Sequence, residues 1–172
     1  MARVEGSVII AAPIEQVYAL AKAVEDFPDF MPDLESVEVL ERWNGNTVSR
    51  WVGLVQGRKI RWVEEDIWDD AAHRCTYRQR EGDFTRYEGT WHFEATPEGT
   101  RMTVEVDFEI SIPFAGPLIS NLLRTLMRKN VESMLMALKN RIERPAPAVR
   151  CGSLAPSAYS QRSYASRSAK GC

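Results

Sequence analysis

The sequence has little of what metal and redox sites need: two histidines and three cysteines in 172 residues. Cys75, Cys151 and Cys172 form no close pair, and neither His73 nor His92 stands at ligand spacing from another donor. An odd cysteine count without a CxxC argues against a disulfide framework and against a zinc site. The expectation is reduced thiols, no metal and no cofactor. No apolar run approaches the ~18 to 20 residues of a membrane-spanning helix. Met1 to Gly6 has no signal-peptide layout and enters a strand pattern directly, which predicts a cytoplasmic protein. There is no Lys/Arg run and no basic stripe with interleaved aromatics, which speaks against a DNA partner.

What is present suits a globular domain: 44% hydrophobic and 27% charged residues, with a formal net charge of -2. Composition changes at about residue 144. Residues 145–172 hold six Ser, six Ala, three Pro and four basic residues, with no acid. The expected division is a folded domain over 1–144, carrying -6, and a disordered basic tail over 145–172. That tail is a solvated extension, or else a contact for a membrane surface or for a macromolecule such as the ribosome.

The apolar pattern orders the elements. Arg3 to Ala11 is a β-rich run. Pro13 and Glu15 then open a helix, and a second short helix covers Val24 to Phe30, interrupted by Pro28. Strand and turn signals alternate from there to about residue 111. Asn44-Gly45 marks a two-residue hairpin. Gln56-Gly57 joins strands near 47–55 and 58–68, and further turns fall at 81–83 and 96–99. Met102 to Ile110 alternates apolar and polar, so one face is buried. After Pro113 to Pro117, apolar residues recur at three- and four-residue spacing from Leu118 to Ile142. A helix of ~27 residues is about 40 Å long, and it cannot bury that stripe alone. The concave face of a seven-stranded antiparallel sheet is the available partner, which makes the fold α+β.

Several blocks in this order resemble one superfamily. Ile9-Ile10-Ala-Ala-Pro13-Ile-Glu15-Gln-Val17-Tyr18, Val24-Glu25-Asp26-Phe27-Pro28, Ser36-Val37-Glu38-Val39-Leu40 and Gly82-Asp83-Phe84-x-Arg86-Tyr87-x-Gly89-x-Trp91-x-Phe93 look like the polyketide cyclase/dehydrase and coenzyme-Q-binding branch of the START and birch-pollen-allergen-like (SRPBCC) superfamily. The match covers about residues 3–143. It implies a helix-grip fold, a curved sheet wrapped around the long C-terminal helix with two short helices after the first strand, and an internal cavity for a hydrophobic small molecule. In aromatase/cyclase members of that branch, a Tyr after the short helices and a Ser and an Arg on a central strand are associated with cyclisation. The corresponding positions here are Leu34, Glu64 and Asp66. An acid in place of the Arg has the wrong charge to stabilise an enolate.

The strand period sorts residues by face. Ile60, Trp62, Glu64 and Asp66 lie opposite Lys59, Arg61 and Glu65, and the resemblance puts the first set in the cavity. Trp51, Trp62, Tyr87 and Trp91 point inward, either as core filling or as pocket wall. Met127 and Met134 carry the same alternatives. Gly89, amid bulky neighbours, leaves room for a ligand or allows a close backbone approach. Asn130 lies beside the apolar stripe of the last helix, where the resemblance has it face the cavity; a helix-to-sheet bond is the alternative. Phe27, Phe30 and Met31 border the cavity mouth as a lid, or staple the short helices to the sheet. Glu64 and Asp66 on one strand face would repel and resist ionisation. One of them is the candidate catalytic acid or base, or a hydrogen-bonding partner for a ligand hydroxyl or carbonyl; the alternative is that they lie at the cavity rim or pair with arginine from a neighbouring strand.

Three functions are consistent with this pattern. The leading one is a carrier or chaperone for a prenyl quinone, lipid or polyketide-like aromatic. The others are a polyketide cyclase or dehydratase using Glu64 or Asp66, and a regulator of a macromolecule such as the ribosome.

Overall fold

The computed structural model describes residues 1–110 and 117–144. Strand β1 (Ala2–Ile10) leads into helix α1 (Ile14–Lys22) and a 3-10 helix over Val24–Asp29. Six strands follow, β2 (Leu34–Trp43), β3 (Asn46–Val55), β4 (Arg58–Asp69), β5 (Arg74–Gly82), β6 (Arg86–Thr96) and β7 (Gly99–Glu109), and then helix α2 (Pro117–Glu143). The expected element order is what forms, with boundaries moved by one to three residues. The expected tail, 145–172, with Cys151 and Cys172, lies outside the described residues.

The strands pair antiparallel in the order β1-β7-β6-β5-β4-β3-β2. Of the three two-residue hairpins, two are made by positive-φ pairs, Asn44 (46°) with Gly45 (84°) and Gln56 (52°) with Gly57 (75°), while the third, Pro97-Glu98 between β6 and β7, is followed by Gly99 at φ 135°. Such pairs match the right-handed twist of the strands they join. The sheet edge at β2 is protected by two bulges, between Leu34 and Ser36 and between Val39 and Glu41, and by charged residues such as Glu35 and Glu38, which pair with Lys59 and Arg50.

Helix α2 closes the concave face. Its second half holds Val131, Leu135 and Leu138 fully buried against the sheet. Contact with β1 is close because Gly6 has no side chain. A Cβ there would stand 2.7 Å from Val131 Cγ1 and 3.0 Å from Leu135 Cδ1. The end of the helix is tied down by Glu143 Oε1, which accepts from the Ala11 amide at 2.8 Å, and by Lys139, which donates to the Ile9 carbonyl. The first half differs. Among its described side chains, Ile119 to Asn130, none is buried.

Candidate functional site

The first half of α2 and the concave sheet face enclose a cavity of about 520 Å³. That is within the range of small-molecule sites. The sheet contributes a wall of aromatics. Trp51 on β3 and Trp62 on β4 stack at 5.7 Å with 12° between their planes. Tyr87 on β6 sits 5.7 Å from Trp62 and stacks on Phe84 at 4.6 Å. Trp91 extends the wall along β6. From α2 come Met127, Asn130 and Met134, and Met31 with Leu34 joins them from the segment after the 3-10 helix. The mouth lies between the β3–β4 hairpin, Val55 to Arg58, and the exposed Ile119 and Leu122 of α2.

Gly89 serves a close approach rather than an opening. A Cβ at that position would lie 1.9 Å from the Glu105 carbonyl oxygen and 2.5 Å from the Tyr77 hydroxyl. The space is used by Tyr77, whose hydroxyl donates to that carbonyl at 3.0 Å. Tyr77 is thereby fixed in the wall with its polar tip satisfied.

Glu64 is the buried carboxyl of the wall, 6% exposed. Trp62 Nε1 donates to its Oε2 at 2.6 Å. Burial, and then the neighbouring Asp66, hold the Glu64 carboxyl well above the ordinary carboxylate range, against the opposing bond from Trp62. Asn130 is half-buried on the cavity side, and its amide makes no side-chain hydrogen bond among the described residues. No helix-to-sheet bond from this amide occurs among the described residues.

Asp66, expected on the cavity face, and Phe27 and Phe30, expected as a lid or as a staple for the short helices, stand outside the cavity lining. Asp66 does not line the cavity, although it shares a strand face with Glu64. The curved sheet carries that position beyond the cavity floor into the core, where Asp66 accepts from Thr47 Oγ1 at 3.0 Å. Burial pushes its carboxyl up to about 7, with hydrogen bonds from Thr47 and Ser49 opposing. Phe27 is fully buried behind the wall, its ring parallel to that of Trp91 at 6.1 Å and 6.0 Å from that of Trp51. It holds the short helix to the sheet. Phe30 lies outside the cavity in a surface depression beneath Arg141, whose guanidinium is 5.5 Å from the ring. The lid alternative thus fails for these two phenylalanines, and of the three only Met31 reaches the cavity. Glu65, expected toward solvent, is covered by Arg78 and Arg80 of β5, whose hydrogen bonds, Arg80's first, hold its carboxyl below the usual range.

Sequence reasoning missed Leu34 and Phe84 as wall residues, and Ile119, Leu122 and Leu126 as the mouth. A signal for the mouth was present. Leu122, Leu126, Asn130 and Met134 form one row at four-residue spacing, and such a row faces one side. Among the described residues no cluster of metal-ligating side chains occurs, and no helix is long and apolar enough to cross a membrane.

Comparison with known proteins agrees with this architecture. Residues 10–139 match the family model described as polyketide cyclase / dehydrase and lipid transport. A Streptomyces cyaneus protein assigned as a polyketide cyclase is 29% identical over 143 residues, covering 81% of this chain and 92% of the relative. The crystal structure of TTHA0849 from Thermus thermophilus superposes with a TM-score of 0.80 at 43% identity, over 83% of this chain and 97% of that one. That of the Zhui aromatase/cyclase from a Streptomyces species gives 0.76 at 26% identity, over 83% and 94%. With a family match across most of its length and the sheet-and-helix frame to accompany it, this chain belongs to the polyketide cyclase/dehydrase and lipid-transport family of START-like proteins.

Proposed function

We propose that the protein binds a hydrophobic, ring-containing small molecule, a polyketide-like aromatic or a prenyl quinone, in its cavity and acts as its carrier. The observation that carries this reading is the cavity itself. It has about 520 Å³ of space, bounded by indole, phenol and thioether side chains, with a single buried carboxyl. Flat rings suit stacked tryptophans, and methionines adapt to their outline. Apolar burial supplies affinity at about 25 cal/mol per Å² before the costs of association. Native mass spectrometry of protein purified from its own host, followed by solvent extraction, tests the proposal. A stoichiometric aromatic polyketide, quinone or lipid supports a cavity ligand. A protein that is empty and stays empty after incubation with all three classes overturns it.

One observation favours a second reading, cyclisation or dehydration. A protonated carboxyl on an apolar wall is the group that such a reaction needs as an acid, and its conjugate base as a base. Glu64 has that environment, and Asp66, away from the cavity, does not. In this reading Glu64→Gln abolishes turnover of a polyketide-like substrate while the substrate still binds. Unchanged turnover removes the reading and leaves the carrier.

A further inference from the structure

Glu64 has two carboxyl oxygens with different surroundings. Oε2 receives the indole N–H of Trp62 at 2.6 Å. An indole nitrogen only donates, so Oε2 acts as an acceptor there. Oε1 has no hydrogen bond among the described residues, and the side chain lines the cavity. The groups around this carboxyl are Ser49 and Trp51 on β3, Asp66 on its own strand, Cys75, Tyr77 and Gln79 on β5, Tyr87 on β6 and Asn130 on α2. The titratable ones, Asp66, Cys75, Tyr77 and Tyr87, are all acids; Arg58, the cation on the described cavity lining, stands exposed in the β3–β4 hairpin and is not among the charges acting on Glu64. Gln79 does not take up the Glu64 proton either, since its buried Oε1 has no hydrogen-bond partner among the described residues. An ionised carboxylate without a cation in such a wall is costly, and the group keeps its proton instead. With Oε2 engaged as an acceptor, the proton resides on Oε1 and faces the cavity.

We propose that Glu64 is a specificity-determining residue that donates a hydrogen bond from Oε1 to a carbonyl oxygen of the ligand, so that the cavity selects aromatic ketones and quinones over hydrocarbons of the same outline. The inference rests on the cavity being a ligand site. A ligand lacking the oxygen leaves a buried hydroxyl unpaired, which is the stronger half of the discrimination.

Two probes of matched shape, 9-fluorenone and fluorene, test the proposal by quenching of tryptophan fluorescence in the full chain and in the Glu64→Gln and Glu64→Leu variants. In Glu64→Gln, the side-chain oxygen still accepts from Trp62 and the amide N–H₂ replaces the donor. That variant keeps fluorenone affinity within about twofold. Glu64→Leu weakens fluorenone by about five- to tenfold and leaves fluorene as tight or tighter. The infrared carbonyl stretch of bound fluorenone lies lower in the parent and in Glu64→Gln than in Glu64→Leu, a shift that a merely structural role would not produce. Equal weakening of both probes in Glu64→Leu overturns the proposal and leaves the cavity as a binding site. Loss of fluorenone in Glu64→Gln to the same extent as in Glu64→Leu also overturns it. Failure of the parent to bind either probe instead defeats the cavity reading on which the proposal rests.

Discussion

Asp66 makes this domain weaker as the pH rises through neutrality. Its carboxyl is buried and titrates at about 7, against an ordinary value of 3.8. Between those values the folded chain holds a proton that the unfolded chain has released. Stability is fully present below the unfolded value and is lost as pH climbs toward the folded one. Each such proton changes the unfolding free energy by ~1.4 kcal/mol per pH unit. Glu64, raised in the same direction, adds a second share. Glu65, Asp70 and Glu143 are shifted the other way, and their losses come as pH falls into the acid range. Stability therefore peaks at mildly acidic pH and declines from about pH 5 to pH 7. Asp66→Asn keeps an oxygen for Thr47 to donate to and removes one proton from the balance. Its slope in that window should be shallower than the parent's by about 1.4 kcal/mol per pH unit. Urea denaturation at constant ionic strength, followed by far-ultraviolet dichroism at several pH values, measures both slopes. Parallel slopes in parent and variant, or a parent whose stability rises over this window, would refute the reasoning.

Two further substitutions test the packing. Gly6→Ala places a methyl 2.7 Å from Val131 Cγ1 and should cost about 1–3 kcal/mol in urea unfolding. Adding Val131→Ala should give a double variant less destabilised than the sum of the singles. Phe27→Ala empties a fully buried site behind Trp51 and Trp91, and should cost about 3–5 kcal/mol with loss of the near-ultraviolet dichroism of those indoles.

The fold was legible where local chemistry leaves few options. Asn44-Gly45 adopts the left-handed pair that a two-residue hairpin requires, and the alternation of Met102, Val104, Val106 and Phe108 put all four in the core. The row of apolar residues in α2 needed a partner surface, and the concave sheet is the one that its topology offers. The site was legible only by face. Period-two alternation assigns Glu64 and Asp66 to the same side of β4, but it carries no information on depth. Sheet curvature determines depth, placing one carboxyl on the cavity wall and the other among Thr47 and Cys75. Phe27 and Phe30 are three residues apart in the 3-10 helix and its cap, and still one is fully buried in the core while the other is half-buried at its edge, open to a surface depression. Which side of a short helix meets the sheet depends on contacts from β3, β6 and α2 that are remote in sequence. Glu65 lost its solvent because Arg78 and Arg80 reach across from the next strand.

Helix α2 is held unevenly along its length. Gly6, Val131, Leu135 and the ties at Lys139 and Glu143 clamp one end, while the arm beyond them has no fully buried side chain among those described: Leu123 and Met127 pack half-buried against the core, and Leu122 is 56% exposed. Lifting that arm would expose fewer buried side chains than unfolding the domain, so the two free energies differ. Traffic into the cavity can then be fast in a protein that unfolds slowly. In a carrier of the proposed kind, a molecule seated beneath the arm would add to the contacts of Leu123 and Met127 and so set how long the arm stays down. Residence time would then follow that molecule's own apolar area, graded from one compound to the next, with the clamp unchanged.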